Sequence, residues 1–254
     1  MKLQVMTDAT HKGLRDYQED RYFSASMPEG LCFGVFDGHG GNGCATKAAE
    51  LFTAIFVDAL EEGRPVADAF RGTFIKLNAA TSGMEEGSTA SVVYIPYAAD
   101  IVHVAVLGDS PVIVKRADAS IWIAPDHNVR TNAEEVTAAE ARGGIVLGGY
   151  LYVRGEHYGD NLGPGLQMGR ALGDAFLAKV LSREPQIFSQ PLGVGSFVLV
   201  CTDGALDPAH KSVSVAADAV VRLIEAGADA QAIVNRAVAT PTGDNVTAML
   251  VRIA

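Results

Sequence analysis

The chain has 254 residues, 48% of them hydrophobic, and no proline- or serine-rich linker divides it, so it is read as one packed domain over 1–254 rather than a disordered or multi-domain chain. Its 30 Asp and Glu outweigh 20 Lys and Arg, giving a net charge of −10 with no local basic cluster, which excludes a surface built for nucleic acid. No apolar run reaches the roughly 18–20 residues that span a bilayer, and Met1-Lys2-Leu3-Gln4-Val5 carries no leader pattern, so the expectation is a soluble, cytoplasmic monomer with no membrane or nucleic-acid partner.

In chain order, the first strong signal is Leu31–Phe36, a short apolar run ending at Asp37-Gly38 that has the length and content of a buried strand. Residues 42–60 then place Ala45, Ala48, Ala49, Phe52, Ile55, Phe56 and Leu60 on one helical face. A second amphipathic helix runs from Pro65, suited to a first turn, to about Ala80. Strands over 90–95, 101–107, 112–115 and 121–124, with short turn-rich gaps, predict an antiparallel meander. Residues 132–142 read as a helix. The stretch from Gly143 to Gly165 holds eight glycines, too many for a regular element, and is expected to be ordered but irregular. A buried strand over Ser196–Cys201, helices over 212–226 and 230–239, and a last strand over 245–253 complete the chain. This order predicts an α+β fold with helices packed outside antiparallel sheets rather than alternating βαβ units. Cys32, Cys44 and Cys201, odd in number and widely spaced, read as buried thiols.

Acidic residues recur beside the apolar strands. Val35-Phe36-Asp37-Gly38, Cys201-Thr202-Asp203-Gly204 and Gly243-Asp244-Asn245-Val246 each put a carboxylate at what is expected to be a strand end, and Val106-Leu107-Gly108-Asp109-Ser110 has the same form. Singly, Asp-Gly after a strand is ordinarily a turn. Four together in an acidic chain point to a shared centre, because converging carboxylates repel one another unless cations neutralise them. Oxygen-only ligation selects hard divalent ions, Mg²⁺ or Mn²⁺. Asp20 is a fifth candidate, although its surroundings, Arg15-Asp16-Tyr17-Gln18-Glu19-Asp20-Arg21, also read as a solvated turn. His39 follows Asp37-Gly38 in a glycine-rich turn where the backbone can approach a ligand closely. His103, mid-strand, and His11, His127, His157 and His210, in loops or turns, read as structural or surface residues. No Gly-x-Ser-x-Gly, no phosphate-binding loop and no cysteine in a basic turn offers a nucleophile. Metal-activated water is the chemistry that remains, a pair of ions clamping the attacking and leaving oxygens of a phosphoester.

The order of these motifs resembles the metal-dependent serine/threonine protein phosphatases, the type 2C (PPM) family, from Arg15 to Ile253. Arg15-x-x-x-Glu19-Asp20 looks like the opening motif, and Val35-Phe36-Asp37-Gly38-His39-Gly40-Gly41 the best-known stretch. Gly87-Ser88-Thr89-Ala90, Leu107-Gly108-Asp109-Ser110, Asp126-His127, Arg170-Ala171-Leu172-Gly173-Asp174, Glu184-Pro185, Thr202-Asp203-Gly204 and Asp244-Asn245 follow in the family's order. Each motif is weak alone; the ordered set is specific.

The resemblance implies a four-layer fold, a central two-sheet antiparallel β-sandwich with helix pairs on both faces, and a flap subdomain over about 128–166. It implies hydrolysis of phosphoseryl and phosphothreonyl monoesters by a water or hydroxide activated at two Mn²⁺ or Mg²⁺ ions, with a third, weaker ion. Asp37 would bridge the two ions and the Gly38 carbonyl bind one. Asp203 and Asp244 would complete the other, with Asp20 and Glu19 acting largely through coordinated waters. Asp109, with Asp203, would serve the third. Arg15 would grip the substrate phosphate, and His39 would be the general acid for the leaving oxygen. The implied partners are phosphorylated proteins and a serine/threonine kinase system. Two departures stand out: Pro111 where relatives commonly carry Arg, and Gly169 where Ser often precedes the Arg-Ala-Leu-Gly-Asp motif. The alternative is a catalytically weak member acting as a phosphoprotein-binding scaffold, against which the full carboxylate set, Arg15 and His39 all stand. A metal-dependent nuclease would need a basic groove, and a calcium-binding structural domain an EF-hand-like loop.

Overall fold

The computed structural model describes residues 3–154, 163–208, 213–240 and 242–254. Met1, Lys2, His157, His210 and Ser212, all singled out in the sequence, lie outside them. The chain opens with strands β1 (Leu3–His11), β2 (Arg21–Met27), β3 (Gly30–Phe36) and the two-residue β4 (Gly38–His39), then helices α1 (Gly43–Glu61) and α2 (Val66–Thr81). After them come β5 (Gly87–Ser88), β6 (Ala90–Pro96), β7 (Ile101–Leu107), β8 (Val112–Lys115), β9 (Ile121–Ile123), α3 (Ala133–Ala141), β10 (Gly144–Leu147) and β11 (Tyr150–Val153). The chain finishes with β12 (Leu172–Gly173), a single 3₁₀ turn over Ala175–Leu177, β13 (Gln186–Pro191), β14 (Phe197–Cys201), the one-turn α4 (Asp203–Leu206), α5 (Val213–Glu225), α6 (Ala230–Ala239) and β15 (Val246–Ile253).

Two five-stranded antiparallel sheets form the centre, in the orders β1-β15-β14-β8-β9 and β13-β7-β6-β3-β2. They face one another across a core in which Phe33, Val35, Val93 and Val104 of one sheet meet Val198, Val200, Met249 and Val251 of the other. Strand side chains alternate between faces. The opposite face of the second sheet, with Cys32, Phe36, Val92 and Leu107, therefore packs on α1 and α2. There Phe52, Phe56, Phe70 and Phe74 form an aromatic cluster, with Phe56 stacked on Phe70 at 4.6 Å between ring centroids. The outer face of the first sheet packs Leu199, Cys201, Ala248 and Leu250 against α5 and α6. β3 is apolar without alternation because it is buried on both faces. The layers are thus helix pair, sheet, sheet, helix pair, an α+β architecture. Cys32, Cys44 and Cys201 are buried free thiols. Among the described residues no helix is long and apolar enough to cross a membrane.

Two expectations need correction. The four strands expected as one meander divide between the sheets: β6 and β7 pair, whereas β8 joins β14 and β9 in the other sheet. The chain crosses at Gly108-Asp109-Ser110-Pro111, where Gly108 takes φ 106° and turns it. The glycine-rich excursion is not wholly irregular either. β10 and β11 pair as a hairpin closed by Gly148-Gly149, both at positive φ (59° and 82°), so these glycines make a tight turn rather than dissolve an element. Residues 155–162 of that excursion lie outside the described residues.

A third, small sheet of three two-residue strands, β12-β5-β4, lies at one end of the sandwich. Its register aligns His39, Gly87 and Gly173 in one row. This sheet joins three motifs that are far apart in sequence.

Candidate active site

The acidic residues gather at one end of the sandwich because several strands end there. Asp37 directly follows β3, Asp109 lies just past β7, and Asp203 opens α4 after β14. Asp244 does not end a strand, as its motif led us to expect; it precedes β15. The geometry is equivalent, since β15 runs antiparallel to β14 and begins where β14 finishes. Asp37, Asp109, Asp203 and Asp244 line a cavity of about 740 Å³ with Arg15, Glu19, Gly38 and His39. Asp20 is buried beneath, 4% exposed.

The surrounding chain fixes these groups. The Asp37 N–H donates to Thr89 Oγ1 at 3.0 Å, and the Thr89 N–H donates back to the Asp37 carbonyl at 2.9 Å. Thr89 Oγ1 also bonds Ser110 Oγ at 2.7 Å, tying the Asp37 and Asp109 segments together. Asn128 Nδ2 donates to Asp109 Oδ2 at 2.8 Å. His127 is buried and braces Gly108, accepting its N–H at Nδ1 (3.0 Å) and donating its own backbone N–H to the Gly108 carbonyl (3.1 Å). Burial lowers the His127 pKa to about 4, so it is a neutral structural residue. Asn245 accepts from the Glu19 N–H at 2.8 Å and donates to the Lys12 and Tyr17 carbonyls, seating the whole Arg15–Asp20 loop against the start of β15. At Gly38 a Cβ would lie 2.6 Å from the Glu19 carbonyl, so only glycine allows this approach. Removing Thr89 Oγ1 leaves the Asp37 N–H unsatisfied, so Thr89→Ala is expected to destabilise by about 1–3 kcal/mol in denaturant unfolding and to lower kcat more than it changes KM.

Electrostatically the cluster is self-repelling. Burial raises the pKa of Asp20 to about 7, with the Asp244 charge adding to it and hydrogen bonds from Thr247 (2.6 Å) and Thr202 (3.2 Å) opposing it. Asp37 is held well above the ordinary carboxylate range by burial and by the charges of Asp20, Asp203, Asp244 and Asp109. Asp203 is raised by burial and by Asp109, Asp244 and Asp20. Asp20 Oδ1 is buried with no hydrogen-bond partner among the described residues. An oxygen-only, anionic donor set with an unused buried oxygen fits hard divalent cations. The carboxylates ring the cavity rather than meet at a point: among the described residues no three His, Cys, Asp or Glu are gathered to hold one ion directly.

Two further groups face the same space. Arg15 donates through Nε to the Gly243 carbonyl, through Nη1 to Tyr17 Oη (3.0 Å) and through Nη2 to Asp244 Oδ1 (3.2 Å). His39 Nε2 lies 2.9 Å from both carboxylate oxygens of Asp174. Tyr17, Asn128, Asp174 and Asn245 have defined places here that sequence reasoning did not assign. Only Asp174 and Asn245 carried a signal, as members of recognised motifs.

Residues 4–246 match the family model described as protein phosphatase 2C. The chain belongs to the protein phosphatase 2C family. It is 27% identical over 249 residues to probable protein phosphatase 2C 11 of Arabidopsis thaliana, covering 94% of this chain and 62% of that protein. It covers only 18% of a probable protein phosphatase of Dictyostelium discoideum, to which it is 30% identical, so it spans less than two thirds of these curated relatives. Among solved structures, a sex-determining protein of Caenorhabditis elegans superposes with a TM-score of 0.80 at 26% identity over 97% of this chain and 64% of that one. The catalytic domain of the serine/threonine phosphatase PstP, solved with two manganese ions, superposes with a TM-score of 0.62 at 20% identity, covering 98% of each chain. The family is metal-dependent, in accord with the donor set.

Of the two departures from the 2C pattern, Gly169 has a local reason, and nothing in the structure explains the proline at 111. Buried Glu135, on α3, accepts from Arg170 Nε (2.9 Å) and Nη2 (2.6 Å), latching α3 to the Arg170–Asp174 motif. A Cβ at Gly169 would lie 2.8 Å from Glu135 Oε2, so a serine there would crowd the latch. The Pro111 carbonyl accepts from the Cys201 N–H at 3.0 Å, joining the crossover to β14. Tyr150, Gly165, Leu166, Gln167 and Met168 also line the cavity.

Proposed function

We propose that the chain is a protein serine/threonine phosphatase that hydrolyses phosphoseryl and phosphothreonyl monoesters with two divalent ions, Mn²⁺ or Mg²⁺. The observation that carries this reading is the ring of repelling carboxylates around a cavity that also presents Arg15 and His39. When bound, the ion pair supplies charge neutralisation and an activated water. Asp37, the Gly38 carbonyl, Asp203 and Asp244 would hold the pair, with Glu19 and Asp20 accepting hydrogen bonds from surrounding waters. Asp109, with Asp203, would form a third, looser site.

Arg15 binds the phosphate and sets its orientation for in-line displacement. His39, at the cavity wall, gives its proton to the departing seryl or threonyl oxygen. That proton is needed because an alkoxide is a poor leaving group. The described parts of residues 128–166 act as a flap subdomain beside the cavity, and residues 1–254 form one catalytic unit. Phosphorylated proteins made by a serine/threonine kinase are the substrates, met as a monomer in the cytoplasm, a reducing compartment suited to three unpaired thiols. Phosphoserine, phosphothreonine and phosphotyrosine peptides assayed with Mn²⁺, Mg²⁺ and EDTA test this reading. Turnover of the first two is expected with either metal and none in EDTA. Undiminished turnover in chelator would refute the metal-dependent reading.

A further inference from the structure

We infer that Asp174 is a positioning residue that orients and selects the tautomer of His39, an inference that rests on His39 being the general acid. The small sheet is what brings the two together. β4, β5 and β12 set His39, Gly87 and Gly173 side by side, so His39 and Asp174, 135 residues apart, flank the middle strand. Across two strand spacings their side chains can meet only if the middle residue has none. A Cβ on Gly87 would sit 2.1 Å from His39 Nε2 and 2.2 Å from Asp174 Oδ2, in the space the contact occupies.

Asp174 is built for this contact rather than for solvent. It is 0% exposed, and among the described residues its carboxylate bonds His39 alone. Its backbone is left-handed, φ 48° and ψ 56°, a conformation rare outside glycine that Asp and Asn adopt more readily than other side chains. It is held there by its N–H on the Glu86 carbonyl (3.1 Å) and by its own carbonyl accepting from the Leu177 N–H (2.9 Å) and Arg183 Nη2 (3.4 Å). Backbone strain of this kind persists where the surroundings over-determine it, and it concentrates at functional sites.

The contact assigns the two ring nitrogens. Nε2–H donates to Asp174, leaving Nδ1, which has no hydrogen-bond partner among the described residues, to serve the substrate. As the P–O bond to the seryl or threonyl oxygen breaks, the Nδ1 proton passes to that oxygen. The ring is left neutral with its proton on Nε2, and solvent at the partly exposed ring restores the Nδ1 proton. A carboxylate that fixes a histidine tautomer in this way governs the direction of proton transfer without itself being protonated.

Leaving-group dependence separates this role from mere structural support. A phosphothreonine peptide expels an alkoxide and needs the proton; p-nitrophenyl phosphate expels a stable phenolate and does not. For Asp174→Asn, the ratio of kcat on the peptide to kcat on p-nitrophenyl phosphate, both with saturating Mn²⁺, is expected to fall on the order of 10²-fold. Gly87→Ala, whose methyl group wedges the pair apart, should lower the same ratio. His39→Gln should lower it equally, and adding Asp174→Asn to it should cause no further fall. Nitrogen-15 spectra of the metal-free protein should show neutral His39 as the Nε2–H tautomer, and Asp174→Asn should disturb that preference. Equal losses on both substrates in Asp174→Asn, additivity with His39→Gln, or an Nδ1–H tautomer in the wild type would overturn the inference alone. A His39→Gln variant with an unchanged ratio would overturn the general-acid reading and the inference with it.

Discussion

Asp37→Asn is expected to lower kcat on the order of 10³-fold, the rate equivalent of the several kcal/mol a Lewis-acid centre contributes, while raising the thermal midpoint of the chelator-treated protein. The two effects share one cause. Asn keeps the shape of the side chain and removes the charge that Asp20, Asp203, Asp244 and Asp109 oppose. In the folded, metal-free protein that charge is a cost; on the proposed reading it would serve as a ligand once divalent ions bind. The same conflict sets the pH dependence. A carboxylate whose folded pKa is raised binds more protons folded than unfolded, so its stability contribution is complete below the unfolded pKa and is lost as pH rises through the folded one. For Asp20 that window runs from 3.8 to about 7. Melting temperatures in EDTA should therefore fall as pH rises across this range, contrary to the usual behaviour of paired carboxylates. The fall should be shallower in Asp37→Asn, and saturating Mn²⁺ should reverse it by binding the folded state. An Asp37→Asn protein that melts below wild type in EDTA would remove electrostatic conflict as a description of the centre.

How far the sequence made this molecule legible depended on how much of each element is buried. β3, β6, β7 and β14 are wholly or largely covered and leave continuous apolar runs. The amphipathic helices show their faces clearly. β1, β2 and β13, which went unread, are all sheet edges. β2 alternates half-buried and exposed positions, which dilutes its signal to that of a polar loop. The hairpin of β10 and β11 was concealed by its own turn glycines. Two-residue strands such as β4, β5 and β12 have no periodicity to detect, although they bring His39 and Asp174 together. The carboxylates were legible because repeated Asp-Gly and Asp-Asn turns in an acidic chain call for one explanation. The partner of His39 was not, because it depends on a row of three residues drawn from distant motifs.

Arg15→Ala is expected to act chiefly on substrate binding, raising KM and lowering kcat/KM on the order of 10²-fold, in line with the strength of charge-assisted, bidentate phosphate contacts. A guanidinium has five N–H donors in a planar fork. Three are engaged in the structure: Nε with the Gly243 carbonyl, one Nη1 hydrogen with Tyr17 Oη and one Nη2 hydrogen with Asp244 Oδ1. One hydrogen on each terminal nitrogen is left to donate to phosphate oxygens. The engaged donors are thus the device that aims the free ones, with the Tyr17 ring beneath at 5.7 Å. Lysine keeps the charge but loses the planar fork, so Arg15→Lys should recover only a small part of the lost kcat/KM. Tyr17→Phe, which frees an Nη1 hydrogen without removing the ring, should change KM by no more than a few-fold, on the scale of a single exposed hydrogen bond. Steady-state kinetics of the three variants on one phosphothreonine peptide decide the matter. If Arg15→Lys matches wild type, charge alone holds the phosphate and the fork has no role; if Arg15→Ala leaves KM unchanged, Arg15 serves Asp244 rather than the substrate.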